Sequence, residues 1–165
     1  MNGYFDIALN LASDRFYGDR DKVVTNAISH NVNYFNIVCS SIDELDFVKD
    51  LNNRFRKNSC FTLGVHPHNA DELNEDTLQS LRDSINMHHP SSVGETGLDF
   101  FRNLSSLENQ LNAFEQQIKI SIENNLPLFL HQRDAHDDFI KVIDKYISDI
   151  PLSLIHISEP TRLRR

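Results

Sequence analysis

Apolar runs of strand length alternate with longer stretches of helical period along most of this chain. "YFDIALNL" (4–11) leads into "GDRDKVVTNAISH" (18–30), where Val23, Ala27 and Ile28 recur at i, i+4 and i+5. "NYFNIVCSS" (33–41) precedes "SIDELDFVKDLNNRF" (41–55), in which Ser41 is placed to cap a helix carrying Ile42, Leu45, Val48 and Leu51 on one face. "SCFTLGVHPHN" (59–69) precedes "NEDTLQSLRDSINMH" (74–88), striped by Leu78, Leu81 and Ile85. "SSVGETGLDF" (91–100) precedes "SLENQLNAFEQQIKISIENN" (106–125), and "LPLFLHQRD" (126–134) precedes "DAHDDFIKVIDKYISD" (134–149). This makes about five βα units, and strands joined by helices of such length predict a parallel sheet.

A doubly wound sheet and a (β/α)8 barrel both fit that order. The polar residues favour the barrel, because they gather where the runs end: Asn10, Cys39 with Ser40, His66 with His68, Glu95, and His131 with Arg133. In a barrel those ends ring one mouth, where the active sites of that fold lie. No glycine-rich phosphate loop of the doubly wound kind is present. A whole barrel takes ~250 residues. The expectation is therefore an α/β chain forming an incomplete (β/α)8 TIM barrel.

Composition narrows the function classes. The net charge of −8 gives no basic surface to hold nucleic acid by counterion release, so any such substrate must be gripped by local groups or metals. Cys39 and Cys60 are too few and too isolated for a disulfide framework or zinc cluster, which favours a reducing compartment, the cytoplasm. The first residues lack the pattern of a signal peptide, and no run approaches the ~18 apolar residues of a membrane span.

The candidate chemistry sits in "SVGETGLDFF" (92–101), an apolar run with a glutamate inside it. A carboxylate so placed is hydrogen-bonded, protonated or metal-bound, because an unpaired buried charge is costly. Glu95 at the end of the fourth strand and His131 at the end of the fifth would face one mouth, and together they suit zinc, manganese or magnesium. In "GVHPHN" the proline breaks the strand and makes a loop that can aim His66 and His68 inward. His88 and His89 read as solvated residues at a helix end, and Asp134 as a helix N-cap preceded by Arg133, which is placed to reach a phosphate.

Four stretches in order, "FDIALNLASDRFYGDRD" (5–21), "GVHPHNA" (64–70), "VGETGLDFFRN" (93–103) and "LPLFLHQRDAHDDF" (126–139), resemble the TatD family of metal-dependent deoxyribonucleases. The resemblance spans residues 4 to about 151. It implies phosphodiester hydrolysis of DNA from the 3′ end, with divalent metal as cofactor; no membrane association is expected, and no protein partner is inferable. By the same resemblance Glu95 and His131 are the catalytic metal ligands. Asp6 and Asn10 line the site, and His66 and His68 contact substrate. Many members carry H-x-H on the first strand, where this chain has Ala8 and Asn10. The family pattern continues with a histidine on strand six and an aspartate on strand eight.

The last stretch reads differently. "LSLIHISEPTRLRR" (152–165) is basic, and its first eleven residues fit one frame of a transposase adapter used in sequencing libraries. The expectation is that residues 1–151 are the N-terminal part of a longer barrel hydrolase and 152–165 an adapter translation. On that reading a sixth strand in "PLSLIH" would put His156 at a ligand position only by coincidence of register. The chain as it stands is expected to lack activity. Two alternatives remain at this point: a self-associating half-barrel with open strand edges, and a barrel hydrolase acting on an amide or ester.

Overall fold

The computed structural model describes residues 3–151 and, in backbone alone, residues 153–157. Six strands form one parallel sheet in the order β1 (Tyr4–Leu9), β2 (Val32–Ile37), β3 (Ser59–Leu63), β4 (Ser92–Asp99), β5 (Leu128–Arg133) and β6 (Ser153–Ile157). Each strand lies beside its successor in the chain. A doubly wound sheet would reverse direction at a switch point. Uniform progression is the barrel pattern, so the expected incomplete (β/α)8 fold is the one observed. β6 brings the count above the expected five, pairing in parallel with β5 so that His156 stands opposite His131. The remainder of the stretch assigned to adapter, with the His156 side chain, lies outside the described residues.

Five helices cover the sheet: α1 (Arg20–Ser29), α2 (Leu45–Arg54), α3 (Glu75–His88), α4 (Leu107–Asn124) and α5 (His136–Asp144). Their apolar stripes bury against the strands through Val48 and Leu51, Leu81 and Ile85, Phe114 and Ile118, and Phe139 and Val142. Phe114 and Phe139 stack with ring centroids 5.0 Å apart, which locks α4 to α5. β4 is buried along its whole length. Its Glu95, Thr96 and Asp99 side chains therefore lie inside the protein.

Three local expectations need correction. In α1 the buried residue is Val24, with Val23 and Ala27 half-buried and Ile28 exposed. Ser41 precedes a 3-10 turn without a side-chain cap bond, and the Glu44 carboxylate accepts the Ser40 N–H instead. Asp134 is not the cap of α5: it adopts a left-handed φ of 53°, and Ala135 occupies the capping position. His89, by contrast, does end α3, in the left-handed conformation that often closes a helix.

α3 opens with a reciprocal capping box. Asn74 Oδ1 accepts the Asp76 and Thr77 N–H groups, and Thr77 Oγ1 accepts the Asn74 N–H. Asn74→Ala is expected to lower stability by about 1 kcal/mol, read as a shift in the urea midpoint at unchanged slope. Among the described residues no helix is long and apolar enough to cross a membrane.

Candidate functional site

The glycines around Glu95 explain how a strand can carry this carboxylate. Gly94 and Gly97 have φ of 140° and 141°, and a Cβ on either would collide with the carbonyl oxygens of Phe129 and His131 on β5. Only glycine lets β4 press so closely on its neighbour. The β4–β5 register shifts between Val93 and Thr96, and such an irregularity re-aims the side chain it contains. Glu95 is thereby turned into a cavity of about 410 Å³ at the C-terminal ends of the strands.

His66, Glu95 and His131, all buried, each offer one ligand atom, and the three atoms lie within 4.8 Å of one another. Glu95 Oε1 stands 2.9 Å from His131 Nδ1 and 3.9 Å from His66 Nε2, with 3.4 Å between the two nitrogens. Ligand atoms ~2.1 Å from an ion at tetrahedral angles stand ~3.4 Å apart, so the spacing suits a first-row divalent ion.

Hydrogen bonding divides the roles further. The other nitrogen of His131, Nε2, lies 3.2 Å from Asp99 Oδ2. A neutral imidazole donates through one nitrogen only. With Nε2–H given to Asp99, the Nδ1 lone pair opposes the Glu95 oxygen, a contact that a proton or a cation between them relieves. A carboxylate behind a histidine whose second nitrogen faces the site is the usual support for a metal-bound imidazole. His66 differs, because its Nδ1 accepts the His68 N–H at 3.1 Å, which leaves the proton on Nε2. Burial pushes the His66 imidazole down to about 3 despite the nearby Glu95, so it is neutral and directs an N–H donor into the cavity.

Asp99 is almost wholly enclosed, at 1% exposure. Burial pushes its carboxyl up, but the Arg102 N–H, His68 and His131 together outweigh that, and the net lies below its ordinary value. His68 Nε2 stands 2.8 Å from Asp99 Oδ2, so one carboxylate orients two imidazoles. Arg133 lines the cavity with its guanidinium carbon 4.0 Å from the centre of the Phe101 ring, and its Nε is buried with no acceptor among the described residues.

Of the residues expected at the site, Asn10, His66, His68, Glu95, His131 and Arg133 all line this one cavity. Asp6 does not. It is exposed on the edge strand, and its carboxylate accepts its own Ala8 N–H at 3.0 Å. Asp99, Glu44 and Arg102 also line the cavity, and the sequence reading gave them no role. Asp99 had a signal, since residues four apart on a strand share a face and Glu95 was already placed inward.

These features define a parallel half-barrel whose strand ends hold a histidine–carboxylate centre fit for a divalent metal. Residues 5–161 match the TatD related DNase family. The chain belongs to that family. It is 36% identical over 158 residues to the 3′-5′ ssDNA/RNA exonuclease TatD of Pantoea ananatis, an overlap of 96% of this chain and 61% of that relative. An uncharacterized amidohydrolase from Saccharomyces cerevisiae superposes with a TM-score of 0.82 at 29% identity, over 90% of this chain and 53% of the other. A TatD family hydrolase from Entamoeba histolytica shares the fold, with a TM-score of 0.84 at 23% identity over 94% of this chain and 58% of the other. The chain thus spans about 61% of the length of the Pantoea relative.

Proposed function

We propose that this chain provides the strand one-to-five side of the active site of a metal-dependent exonuclease, one that removes nucleotides from the 3′ end of single-stranded nucleic acid. The observation that carries this reading is His131, set between Glu95 and Asp99 with the His66 N–H and the Arg133 guanidinium facing the same space. A divalent ion bound there lowers the pKa of its water and offsets charge on a phosphate. Glu95 and His131 are the residues that would hold it. Asp99 keeps the His131 ring in one tautomer, with Nε2 as the donor. His66 Nε2–H lies 3.4 Å from His131 Nδ1 and would turn to a phosphate oxygen once a metal took that lone pair, and Arg133 supplies a charged, bidentate donor for the same group. Such grips need no basic surface, which reconciles a nucleic-acid substrate with the net charge of −8.

The thiols agree with a reducing compartment such as the cytoplasm. Cys39 is buried, and that burial pushes its thiol up to about 12, so it is inert. In this proposal residues 1–151 are the native portion, and His156 stays outside the ligand set.

The test is hydrolysis of end-labelled single-stranded oligonucleotides by the chain extended to the relatives' length, in Mn²⁺ and in chelator. Stepwise loss from the 3′ end in Mn²⁺ alone is the expected result. Turnover of small amides or esters with no attack on oligonucleotides would overturn the reading.

A further inference from the structure

The two halves of the site lie on strands whose pairing stops short of them. β3 and β4 pair at Thr62–Ser92 and Leu63–Val93, where their ladder ends. His66 follows three residues later and Glu95 two. The backbone N–H groups of Gly64 and His66 turn to β2, donating to Cys39 and Ser40 carbonyls. Val65 between them faces the β4 side, where Gly94 and Glu95 have left the ladder.

A helix side chain fills that gap. Gln117 of α4, fully buried, accepts the Val65 N–H at 2.8 Å and donates to the Val65 carbonyl at 2.9 Å. Its amide makes the two bonds a neighbouring strand would make. Seven residues earlier, two helical turns or ~10 Å along α4, Gln110 does the same for the other half. It accepts the Asp99 N–H at 2.9 Å and donates to the Asp99 carbonyl at 3.3 Å and the Ser105 carbonyl at 2.9 Å. Ser105 in turn donates to the His68 carbonyl at 2.8 Å.

We infer that Gln110 and Gln117 are positioning residues, and that α4 acts as a ruler setting the histidine loop after β3 against the carboxylates of β4. The inference rests on the proposed metal centre and deepens it. Neither glutamine faces the cavity, so their effect is exerted through Val65 and Asp99. A buried amide is costly unless bonded, and here each is bonded to the backbone of the site. Simple packing would be served as well by leucine or methionine.

The experiment measures Mn²⁺ affinity by calorimetry and thermal unfolding without metal, on this 165-residue chain. Gln117→Met and Gln110→Met keep the volume and lose the bonds. Gln117→Glu and Gln110→Glu keep the acceptor for the N–H alone. Ile118→Val, on the same buried helix but bonded to nothing in the site, is the control for lost stability. Gln110→Met, which loosens the Asp99 that supports His131, is expected to bind Mn²⁺ ~10–100-fold more weakly, the range for groups that orient metal ligands. Gln117→Met, which acts through the His66 donor 3.9 Å from Glu95 Oε1, should fall at the lower end of that range, the glutamates should lose less, and Ile118→Val should bind as wild type. Affinity that simply follows melting temperature across all five overturns the ruler and leaves the metal centre standing. If a methionine variant does not fold, its glutamate counterpart decides: weakened binding supports the inference, and wild-type affinity overturns it. A wild-type chain that takes up no Mn²⁺ overturns the metal centre itself, and the ruler with it.

Discussion

Glu95→Ala is expected to abolish Mn²⁺ binding, with affinity falling by more than ~100-fold, beyond the ~10–100-fold that groups behind a ligand command. Glu95 Oε1 is the oxygen facing His131 Nδ1 at 2.9 Å, so its loss leaves one imidazole nitrogen without its anionic co-ligand. The effect is readable without catalysis. A ligand that binds only the folded state stabilises it by about 2.7 kcal/mol at a hundred times its dissociation constant. Wild type should therefore melt at a higher temperature when Mn²⁺ is added, and the variant should not. In chelator the two should melt within a few degrees of each other, because Glu95 stands at the cavity wall rather than in the apolar core. In the extended protein the same substitution should remove exonuclease activity. An unchanged metal response in Glu95→Ala would take the ligand role from this residue.

Gly97→Ala should be among the most damaging single changes to the fold. The residue sits at φ 141°, in a region L side chains rarely adopt, and its added methyl meets the His131 carbonyl oxygen and nitrogen on β5. Backbone cannot move aside as a flexible side chain would. Roughly 1–3 kcal/mol of strain adds to roughly 1–3 kcal/mol of overpacking, for a total of about 4 kcal/mol. That is a large part of the ~5–15 kcal/mol that holds a domain together. The measurement is the urea unfolding midpoint, with fraction folded at 37 °C as a second reading. A loss under about 1 kcal/mol would mean that β4 can slide away from β5 without harm, and that the glycine is not required by this contact. The clash falls on the residue carrying His131, so metal affinity should drop along with stability, unlike the Glu95 case.

How much of this was legible beforehand varies with the kind of residue. The alternation of apolar runs and helical stripes led directly to β1–β5 and α1–α5, and the gathering of polar residues at the run ends chose the barrel over the doubly wound sheet. Glu95, His131, His66, His68, Asn10 and Arg133 were chosen by position and residue type, and they share one cavity. Asp6 was carried by resemblance alone and turns out to bond its own strand. The family match to residues 5–161 agrees with the motifs that suggested it.

By itself, the sequence determined what depends on period and local chemistry: the order of elements, the parallel connection, and the residue types that can bind metal. Tertiary structure alone decided the relations between side chains far apart in the chain. His66 and His131 are 65 positions apart, and only the folded sheet sets their nitrogens 3.4 Å from each other. The tautomer of His66 follows from the His68 N–H folding back on it. Asp99 became the common support of two histidines because β4 is buried throughout. Gln110 and Gln117 read as ordinary polar positions on an amphipathic helix until β4 leaves the ladder and bare backbone groups at Val65 and Asp99 need partners. The physical reason is that hydrophobic period records which face is buried. Hydrogen-bond satisfaction, in contrast, is a global condition that no single segment carries.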